Sequence, residues 1–220
     1  MSAVAIDDEV VAWSEHDSIA GKPLVILLHG YGQDELALAA ISAELMHDAA
    51  VAALRGPRES RAPLAGGFGW YDVDERIRPI DGQEIETTLA VLEWLDAVIA
   101  QRGEPSRIAV VGFSQGAALA LHLLRYAPER WDAVVTLAGY WLPGELTGEA
   151  RLGELRPAVF WGRTADDPAI APEDVATTAE ALRGTVDLEE HVYPGAEHAI
   201  VPEELNDVLE FLRRRLGIAG

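Results

Sequence analysis

Short apolar runs alternate along the chain with segments of helical periodicity, and no other feature constrains the fold as strongly. "PLVILLHG" (residues 23–30) is a continuous apolar run that ends at glycine, and "RIAVVGF" (residues 107–113) is a second. Such runs are typical of strands that are buried on both faces of a sheet. Strands connected through helices form a mostly parallel sheet with helices on both faces. We therefore predict an α/β fold, with residues 1–220 forming a single domain.

The other predicted elements keep this alternation. "VAI" and "VVAW", on either side of residues 7–9, predict a leading β-hairpin. The further predicted strands cover residues 49–57, 132–139, 157–162 and 186–195. The predicted helices cover residues 34–46, 81–103, 115–126, 172–184 and 202–216. In the second of these helices Asp81 is the expected N-cap and Gly103 ends the helix. Its apolar stripe consists of Ile85, Leu89, Leu92, Leu95 and Ile99.

The stretch over residues 55–80 lacks periodicity and is rich in glycine, proline and arginine. A long irregular segment inside a compact domain is usually functional or mobile. Open α/β sheets place their sites at the carboxyl ends of the strands. We therefore interpret this stretch as a loop over that edge of the sheet.

The composition limits the classes of chemistry and of partner. The chain has no cysteine, which excludes disulfides and thiolate chemistry and removes the commonest zinc ligands. A formal net charge of −20 disfavours nucleic acid and anionic membrane surfaces as partners. This acidity fits either a soluble, self-repelling surface or adaptation to salt. "MSAVAIDDEVVAW" lacks the pattern of a signal peptide, and no apolar stretch is long enough to cross a bilayer. We therefore expect a cytoplasmic protein.

The run "VVGFSQGAALALHLL" (residues 110–124) places Ser114 between Gly112 and Gly116, at the junction of a predicted strand and a predicted helix. This order matches a nucleophile elbow, a turn so tight that neighbouring side chains would collide. The elbow holds the serine out at the top of the sheet, at a helix N-terminus that stabilises developing negative charge. The alternative is a glycine-rich turn without chemistry, and the flanking strand and helix favour the elbow.

A serine nucleophile needs a base and an orienting acid, and both follow the serine in this architecture. His191 lies within a predicted strand, whereas His198 lies on the loop before the last helix, so we favour His198 as the base. The acid is expected on the loop after the preceding strand, which offers Asp166 and Asp167. We favour Asp167, which directly precedes a proline, and Asp166 is the alternative.

A tetrahedral oxyanion needs backbone donors. The N–H of Gln115, which follows the nucleophile, is one predicted donor. The second is expected from "LLHGYGQDE", where Gly30 and Gly32 permit close approach and Tyr31 supplies the N–H. His29 precedes the serine, which is the wrong order for the base, so we interpret it as shaping this loop.

Five stretches of the chain resemble segments of the phospholipase/carboxylesterase family of α/β-hydrolases, which includes bacterial small esterases and acyl-protein thioesterases. In chain order they are "LLHGYGQDE", "GGFGWYD", "VGFSQGAALAL", "LAGYWLP" and "PGAEHAI". They look like the oxyanion, W-[YF]-D, nucleophile, S-G-x-x-P and G-x-H segments of the family. The acid segment, "GRTADDPAIAP", departs from the family in its length and its doubled aspartate, and Ala138 stands where serine is common.

The resemblance implies an α/β-hydrolase fold and a serine hydrolase that cleaves carboxylic esters of short or medium acyl chains. Ser114, His198 and Asp167 would form the catalytic triad and an acyl-enzyme, with no cofactor and no metal. The alternatives are a lysophospholipase or acyl-protein thioesterase, and a ligand-binding protein without turnover. The implied partner is a small ester or thioester, and a homodimer stays open. Four aromatic residues in loops that border the site would either form an apolar wall for an acyl chain or pack the loops down: Phe68, Trp70, Tyr140 and Trp141.

Overall fold

The computed structural model describes residues 4–14, 18–61, 65–74, 78–80 and 82–218. These residues form the strands β1 (Ala12–Trp13), β2 (Pro23–Leu28), β3 (Ala50–Leu54), β4 (Arg58–Glu59), β5 (Phe68–Gly69), β6 (Arg107–Phe113), β7 (Ala133–Leu137), β8 (Ala158–Thr164) and β9 (Asp187–Tyr193). Seven strands form the central sheet in the order β1-β3-β2-β6-β7-β8-β9. Within this sheet β1 is antiparallel to its neighbour and every other pair is parallel. The predicted mostly parallel sheet is confirmed.

The helices of the described chain are α1 (Ala39–Leu45), α2 (Gln83–Arg102), α3 (Gln115–Tyr126), α4 (Glu149–Leu155), α5 (Pro172–Leu182) and α6 (Pro202–Leu216). Helix α3 packs on β6 and β7 and against α2, whereas α6 packs on β6, β7 and β8 and against α1. These two groups of helices cover opposite faces of the sheet. The central strands are therefore buried on both faces of the sheet. The carboxyl ends of the strands are left open. Across the described ranges, no helix combines the length and the apolar character that crossing a membrane requires.

The predicted leading β-hairpin is wrong. Asp8–Val10 is a 3-10 turn, and the Asp7 carboxylate caps it by accepting a hydrogen bond from the Glu9 amide at 3.0 Å. The strand that follows, β1, pairs with the open edge of β3 instead of with residues 4–6. Two apolar runs of three or four residues do not specify a partner, and the edge of the large sheet supplies one.

Only the second half of the predicted apolar stripe of helix α2 packs against the core, where Leu95 is buried and Leu92 and Ile99 are partly buried. Ile85 is 41% exposed and Leu89 is 38% exposed, so the first two turns of the stripe point to solvent. The buried face instead includes Thr87 and Thr88, whose hydroxyl groups hydrogen-bond to buried partners at 2.5 and 2.8 Å. Because these hydroxyl groups are satisfied, their burial costs little. A pattern that counts apolar residues alone does not assign these two threonines to the buried face.

The stretch over residues 55–80 contains regular structure that the sequence did not predict. It includes β4 and β5, which form a separate two-stranded antiparallel ribbon. The Gly32 amide donates to the Phe68 carbonyl at 2.8 Å, so the ribbon lies beside the loop that follows β2, at the carboxyl edge of the sheet. Helix α4 was also not predicted. The expected N-cap of α2, Asp81, lies outside the described residues.

Candidate active site

Ser114 occupies a strained turn between β6 and α3. Its φ and ψ angles are 54° and −115°, a conformation that costs a residue other than glycine about 1–3 kcal/mol. The backbone around the turn is held firmly, since the Ser114 amide donates to the Leu137 carbonyl at 2.8 Å and the Ser114 carbonyl accepts from the Ala118 amide at 3.0 Å. Although Ser114 stands at the N-cap position, its hydroxyl does not cap α3. The hydroxyl is therefore free for other chemistry.

The two glycines around Ser114 are required by close backbone contacts. A methyl group on Gly112 would lie 2.2 Å from the carbonyl oxygen of Gly116. A methyl group on Gly116 would lie 2.2 Å from the carbonyl oxygen of Leu28, at the end of β2. Neither contact is possible for a real side chain. The spacing Gly-x-Ser-x-Gly is thus explained by close backbone approach: a side chain at either position would collide with a backbone carbonyl, not with a neighbouring side chain as the sequence predicted.

Three side chains from separate loops meet at the carboxyl edge of the sheet. His198 Nε2 lies 2.8 Å from Ser114 Oγ, and His198 Nδ1 lies 2.7 Å from Asp167 Oδ2. The Asp167 side chain is only 5% exposed, and its other oxygen accepts from the Ala169 amide at 2.8 Å. An ionised carboxylate only accepts hydrogen bonds, so Nδ1 carries the proton and Nε2 is left to accept from the serine hydroxyl. The ring of Phe113 packs on the imidazole at 5.0 Å between centroids.

The geometry distinguishes the alternatives that the sequence left open. Asp167 faces the imidazole, whereas Asp166 is exposed and its amide donates to the Gly195 carbonyl at 3.1 Å. His191 lies within β9, where its two ring nitrogens are 3.3 and 3.4 Å from carboxylate oxygens and its ring stacks on Phe160. His191 is therefore not part of this arrangement.

His29 holds the loop that follows β2. Its Nε2 accepts a hydrogen bond from the Gly56 amide at 2.9 Å, so its Nδ1 carries the proton and donates to the Gly30 carbonyl at 2.7 Å. Burial lowers the pKa of His29, which keeps the ring neutral and this pattern of donors intact. Within the described ranges, neither the Tyr31 amide nor the Gln115 amide donates a hydrogen bond. Both N–H groups that the sequence assigned to the oxyanion are therefore without an acceptor among the described residues.

The side chain of Gln115 has a role that sequence reasoning missed. It is 1% exposed, its oxygen accepts from the Trp70 amide at 2.9 Å, and its nitrogen donates to the Tyr71 carbonyl at 2.7 Å. The Trp70 indole N–H donates to the His29 carbonyl at 2.7 Å. The "GWYD" segment is thus bonded to both loops that supply the predicted oxyanion donors. The sequence did contain a signal for this contact, because the "GWYD" segment occurs together with a glutamine directly after the serine.

The four aromatic residues of the bordering loops do not form an exposed apolar wall. Trp70 is fully buried and Tyr140 is 3% exposed, so both pack the loops down, and burial raises the pKa of Tyr140 to about 12. Phe68 and Trp141 are half-buried, and each lies under an arginine guanidinium, at 4.6 and 4.4 Å from the ring centroid. The expectation of an apolar wall is wrong for Trp70 and Tyr140, because their contacts are to the protein.

Two open cavities flank the three side chains. One, of about 420 Å³, lies beside His198 between α1 and the start of α6. The other, of about 410 Å³, lies beside Asp167 and includes Arg163 and Asp166 in its wall. None of the four aromatic residues lines either cavity. Among the residues with described positions, no group of three or more histidine or carboxylate side chains is arranged to hold a metal ion.

A buried carboxyl group lies under the loops that carry Asp167 and His198. Glu204 is 1% exposed, and one of its oxygens accepts from the Val201 amide at 3.3 Å. Its other oxygen has no partner among the described residues and lies against the backbone of Gly162 in β8. Burial raises the pKa of Glu204 to about 7, with a further contribution from the nearby charge of Asp167. This carboxyl group is poised to titrate near neutral pH.

Comparison with known proteins assigns the chain to a family. A model of the phospholipase/carboxylesterase family matches residues 12–216. The chain belongs to this family. The resemblance of its sequence segments is thereby confirmed, and the chain is a hydrolase of the carboxylesterase type.

Curated relatives and solved structures agree with the family match. Acyl-protein thioesterase 1 of Saccharomyces cerevisiae is 26% identical over 155 residues, which are 67% of this chain and 68% of the relative. Carboxylesterase SOBER1 of Arabidopsis thaliana is 28% identical over 159 residues, again 67% of this chain and 68% of the relative. The crystal structure of the Bacillus cereus carboxylesterase matches with a TM-score of 0.79 over 93% of each chain, at 19% identity. This last likeness confirms the α/β-hydrolase fold.

Proposed function

We propose that the protein hydrolyses carboxylic esters through a triad of Ser114, His198 and Asp167. The observation that carries the proposal is the unbroken chain of hydrogen bonds from Ser114 Oγ to His198 Nε2 and from His198 Nδ1 to Asp167, at 2.8 and 2.7 Å. Serine alone is a weak nucleophile at neutral pH, and an adjacent imidazole oriented by a carboxylate activates it. The strained elbow presents this serine at the start of α3.

The reaction proceeds through an acyl-enzyme. His198 Nε2 accepts the hydroxyl proton of Ser114 as Oγ attacks the carbonyl carbon of the ester. The protonated imidazole then gives that proton to the departing alcohol, and the acyl group stays on Oγ. Water, deprotonated by the same nitrogen, attacks the acyl carbonyl carbon. As the bond to Ser114 Oγ breaks, the protonated imidazole returns the proton to Oγ and the carboxylic acid is released. Asp167 fixes the imidazole and stabilises its positive charge in both steps.

The oxyanion of each tetrahedral intermediate would be held by the amides of Tyr31 and Gln115. Both amides are without an acceptor in the described part of the chain, and Gln115 is the first residue of α3, where the helix dipole favours negative charge. The hydrogen bonds of His29 and of the Gln115 side chain fix these two amides before substrate arrives. A site with such fixed donors needs no cofactor.

The substrate that we propose is a small ester with a short or medium acyl chain. Cavities of about 410 and 420 Å³ lie at the lower end of the range for small-molecule sites. The thioesterases among the relatives support a thioester as the second candidate. A formal charge of −20 opposes approach to an anionic membrane, which counts against a membrane phospholipid.

A series of p-nitrophenyl esters from acetate to palmitate tests this function. We expect kcat/KM to change along the series as a gradient with its maximum at short or medium acyl chains, because one methylene changes discrimination in an apolar pocket by only about 1–3 kcal/mol. His198→Ala is the control for hydrolysis by contaminants and must lose the activity. Tight binding of esters by a folded protein that turns none of them over would instead identify a binding protein.

A further inference from the structure

The cavity beside His198 is an apolar groove, and we call it the α1–α6 groove. Its walls are formed by the start of α1 and the start of α6, and Phe113 lies at its inner end, next to the elbow. The residues that matter for its character are Ala37, Ala40, Phe113, Ile200, Pro202 and Leu205. Only Gln33 and His198 bring polar side chains to the groove, and no Lys, Arg, Asp or Glu of the described chain lines it.

The position of the groove relative to the imidazole decides which part of an ester it receives. In the proposed mechanism His198 Nε2 protonates the departing oxygen, so that oxygen must come within hydrogen-bond reach of Nε2. The alcohol portion of the ester therefore extends from the imidazole. The α1–α6 groove is lined by His198, whereas the second cavity is lined by Asp167 and not by the imidazole.

The character of the groove decides which alcohols fit. Placing a charged group against an apolar wall costs its hydration without a compensating partner. The second cavity contrasts with this, because Arg163 and Asp166 contribute charges to its wall. The formal charge of −20 adds a long-range repulsion against anionic groups. Both effects act in the same direction against an anionic alcohol.

We propose that the α1–α6 groove binds the alcohol portion of the ester and selects uncharged, apolar alcohols. This inference rests on the proposed function, since it assigns one half of the substrate to one side of the same site. Ester hydrolysis would then depend on the chain length of the alcohol through this groove. The acyl chain would lie outside the α1–α6 groove, so other residues would determine the preference for acyl-chain length.

The test varies the alcohol at constant acyl group. We expect kcat/KM to rise from ethyl to butyl to hexyl acetate, by about twofold to fourfold for each methylene that enters the groove. The anion 6-acetoxyhexanoate, which ends the same chain in a carboxylate, should react at least about tenfold more slowly than hexyl acetate. The opposite series, from ethyl acetate to ethyl hexanoate, varies the acyl chain at constant alcohol.

Ala40→Trp fills the groove from the exposed side of α1. We expect it to lower the ratio of kcat/KM for hexyl acetate over ethyl acetate to near one, while the ratio between ethyl hexanoate and ethyl acetate keeps its wild-type value. Ala43→Trp is the matched control, since Ala43 is also exposed on α1 but does not line the groove, and it should keep both ratios. Ala37→Trp provides a second filling variant with the same expectation, should Ala40→Trp fail to fold.

The outcomes separate this inference from the proposed function. Hydrolysis with an unchanged alcohol ratio in both filling variants would overturn the groove assignment and leave the esterase function standing. A change of the acyl ratio alone would assign the groove to the acyl chain and would also overturn the inference. Absence of hydrolysis of every ester by the wild-type protein would remove both proposals.

Discussion

The side chains that hold the loops next to Ser114 differ from those beneath the loops of Asp167 and His198 in how completely their buried polar atoms are paired. On the nucleophile side, the polar side-chain atoms of Gln115, His29 and Trp70 all have hydrogen-bond partners. On the acid–base side, Arg163 and Glu204 each keep a buried side-chain atom with no partner among the described residues. Buried polar atoms are nearly always paired in folded proteins. The paired side chains of the nucleophile side thus form a fixed frame, whereas the acid–base side contains Glu204, whose buried carboxyl group has a pKa raised to about 7.

Ser114→Ala has the largest expected effect on activity, because it removes the nucleophilic hydroxyl group that the fixed frame holds in place. We expect kcat/KM for p-nitrophenyl butyrate to fall by at least about 10⁴-fold, as is typical for loss of a triad nucleophile. Initial rates with purified protein measure the loss. Circular dichroism should show an unchanged fold, since Gly112 and Gly116 still permit the turn. Activity within tenfold of wild type would mean that another residue attacks the ester.

Asp167→Asn and Asp166→Asn form a matched pair on the acid–base side. Asp167→Asn should lower kcat by about 10³–10⁴-fold, because an amide no longer holds the imidazole in the required tautomer. Asp166→Asn should change kcat less than threefold, since the Asp166 side chain is exposed and the His198 imidazole is bonded to Asp167. Equal losses in the two variants would place the acid elsewhere.

Gln115→Ala tests whether the frame on the nucleophile side is held by paired hydrogen bonds. The variant leaves the Trp70 amide and the Tyr71 carbonyl buried without partners, which costs roughly 3 kcal/mol of unfolding free energy. Urea denaturation measures the change. Because the Gln115 backbone N–H remains, activity should fall less than in Ser114→Ala. An unchanged midpoint of unfolding would show that the frame does not depend on this side chain.

Glu204→Gln tests the pH dependence of the acid–base side and has the smallest expected effect. The folded-state pKa of Glu204 is raised from 4.5 to about 7, so the folded protein holds this proton more tightly than the unfolded chain. The resulting stabilisation is fully present below pH 4.5 and is lost as pH rises through 7. Glutamine does not titrate, so the variant should gain roughly 2 kcal/mol relative to wild type between pH 5 and pH 8.

Thermal or urea unfolding at several pH values measures this difference. The expected curves for wild type and Glu204→Gln diverge as pH rises and run parallel above pH 8. A difference between the two proteins that stays constant from pH 5 to pH 8 would contradict the titration of a buried Glu204. The same curves for Gln115→Ala should run parallel to wild type at every pH, because Gln115 does not ionise.

The sequence predicted the features that depend on local patterns. The parallel strands follow from continuous apolar runs, and α3 begins at Gln115 and ends at Tyr126 as predicted. The elbow could be predicted because close backbone contacts require glycine at positions 112 and 116. These two glycines give the Gly-x-Ser-x-Gly spacing that is visible in the sequence. The order of serine, acid and base along the chain also led to the prediction of Ser114, Asp167 and His198, which the structure brings together.

Features that depend on distant partners could not be predicted in this way. The edge of β3 captures β1, and nothing within residues 4–14 indicates that pairing. The buried face of α2 depends on hydrogen-bond partners for Thr87 and Thr88 that lie in other elements. The sequence favoured Asp167 over Asp166 but left both open, because the choice depends on which side chain turns inward after β8.

Mapping of a covalent adduct tests the central claim most directly. The wild-type protein, incubated with a fluorophosphonate probe and digested, should carry one probe group, and tandem mass spectrometry should place it on Ser114. Ser114→Ala should take up no probe, and Asp167→Asn should react far more slowly than wild type. A probe group on a different residue, or a folded wild-type protein that stays unmodified, would contradict the account.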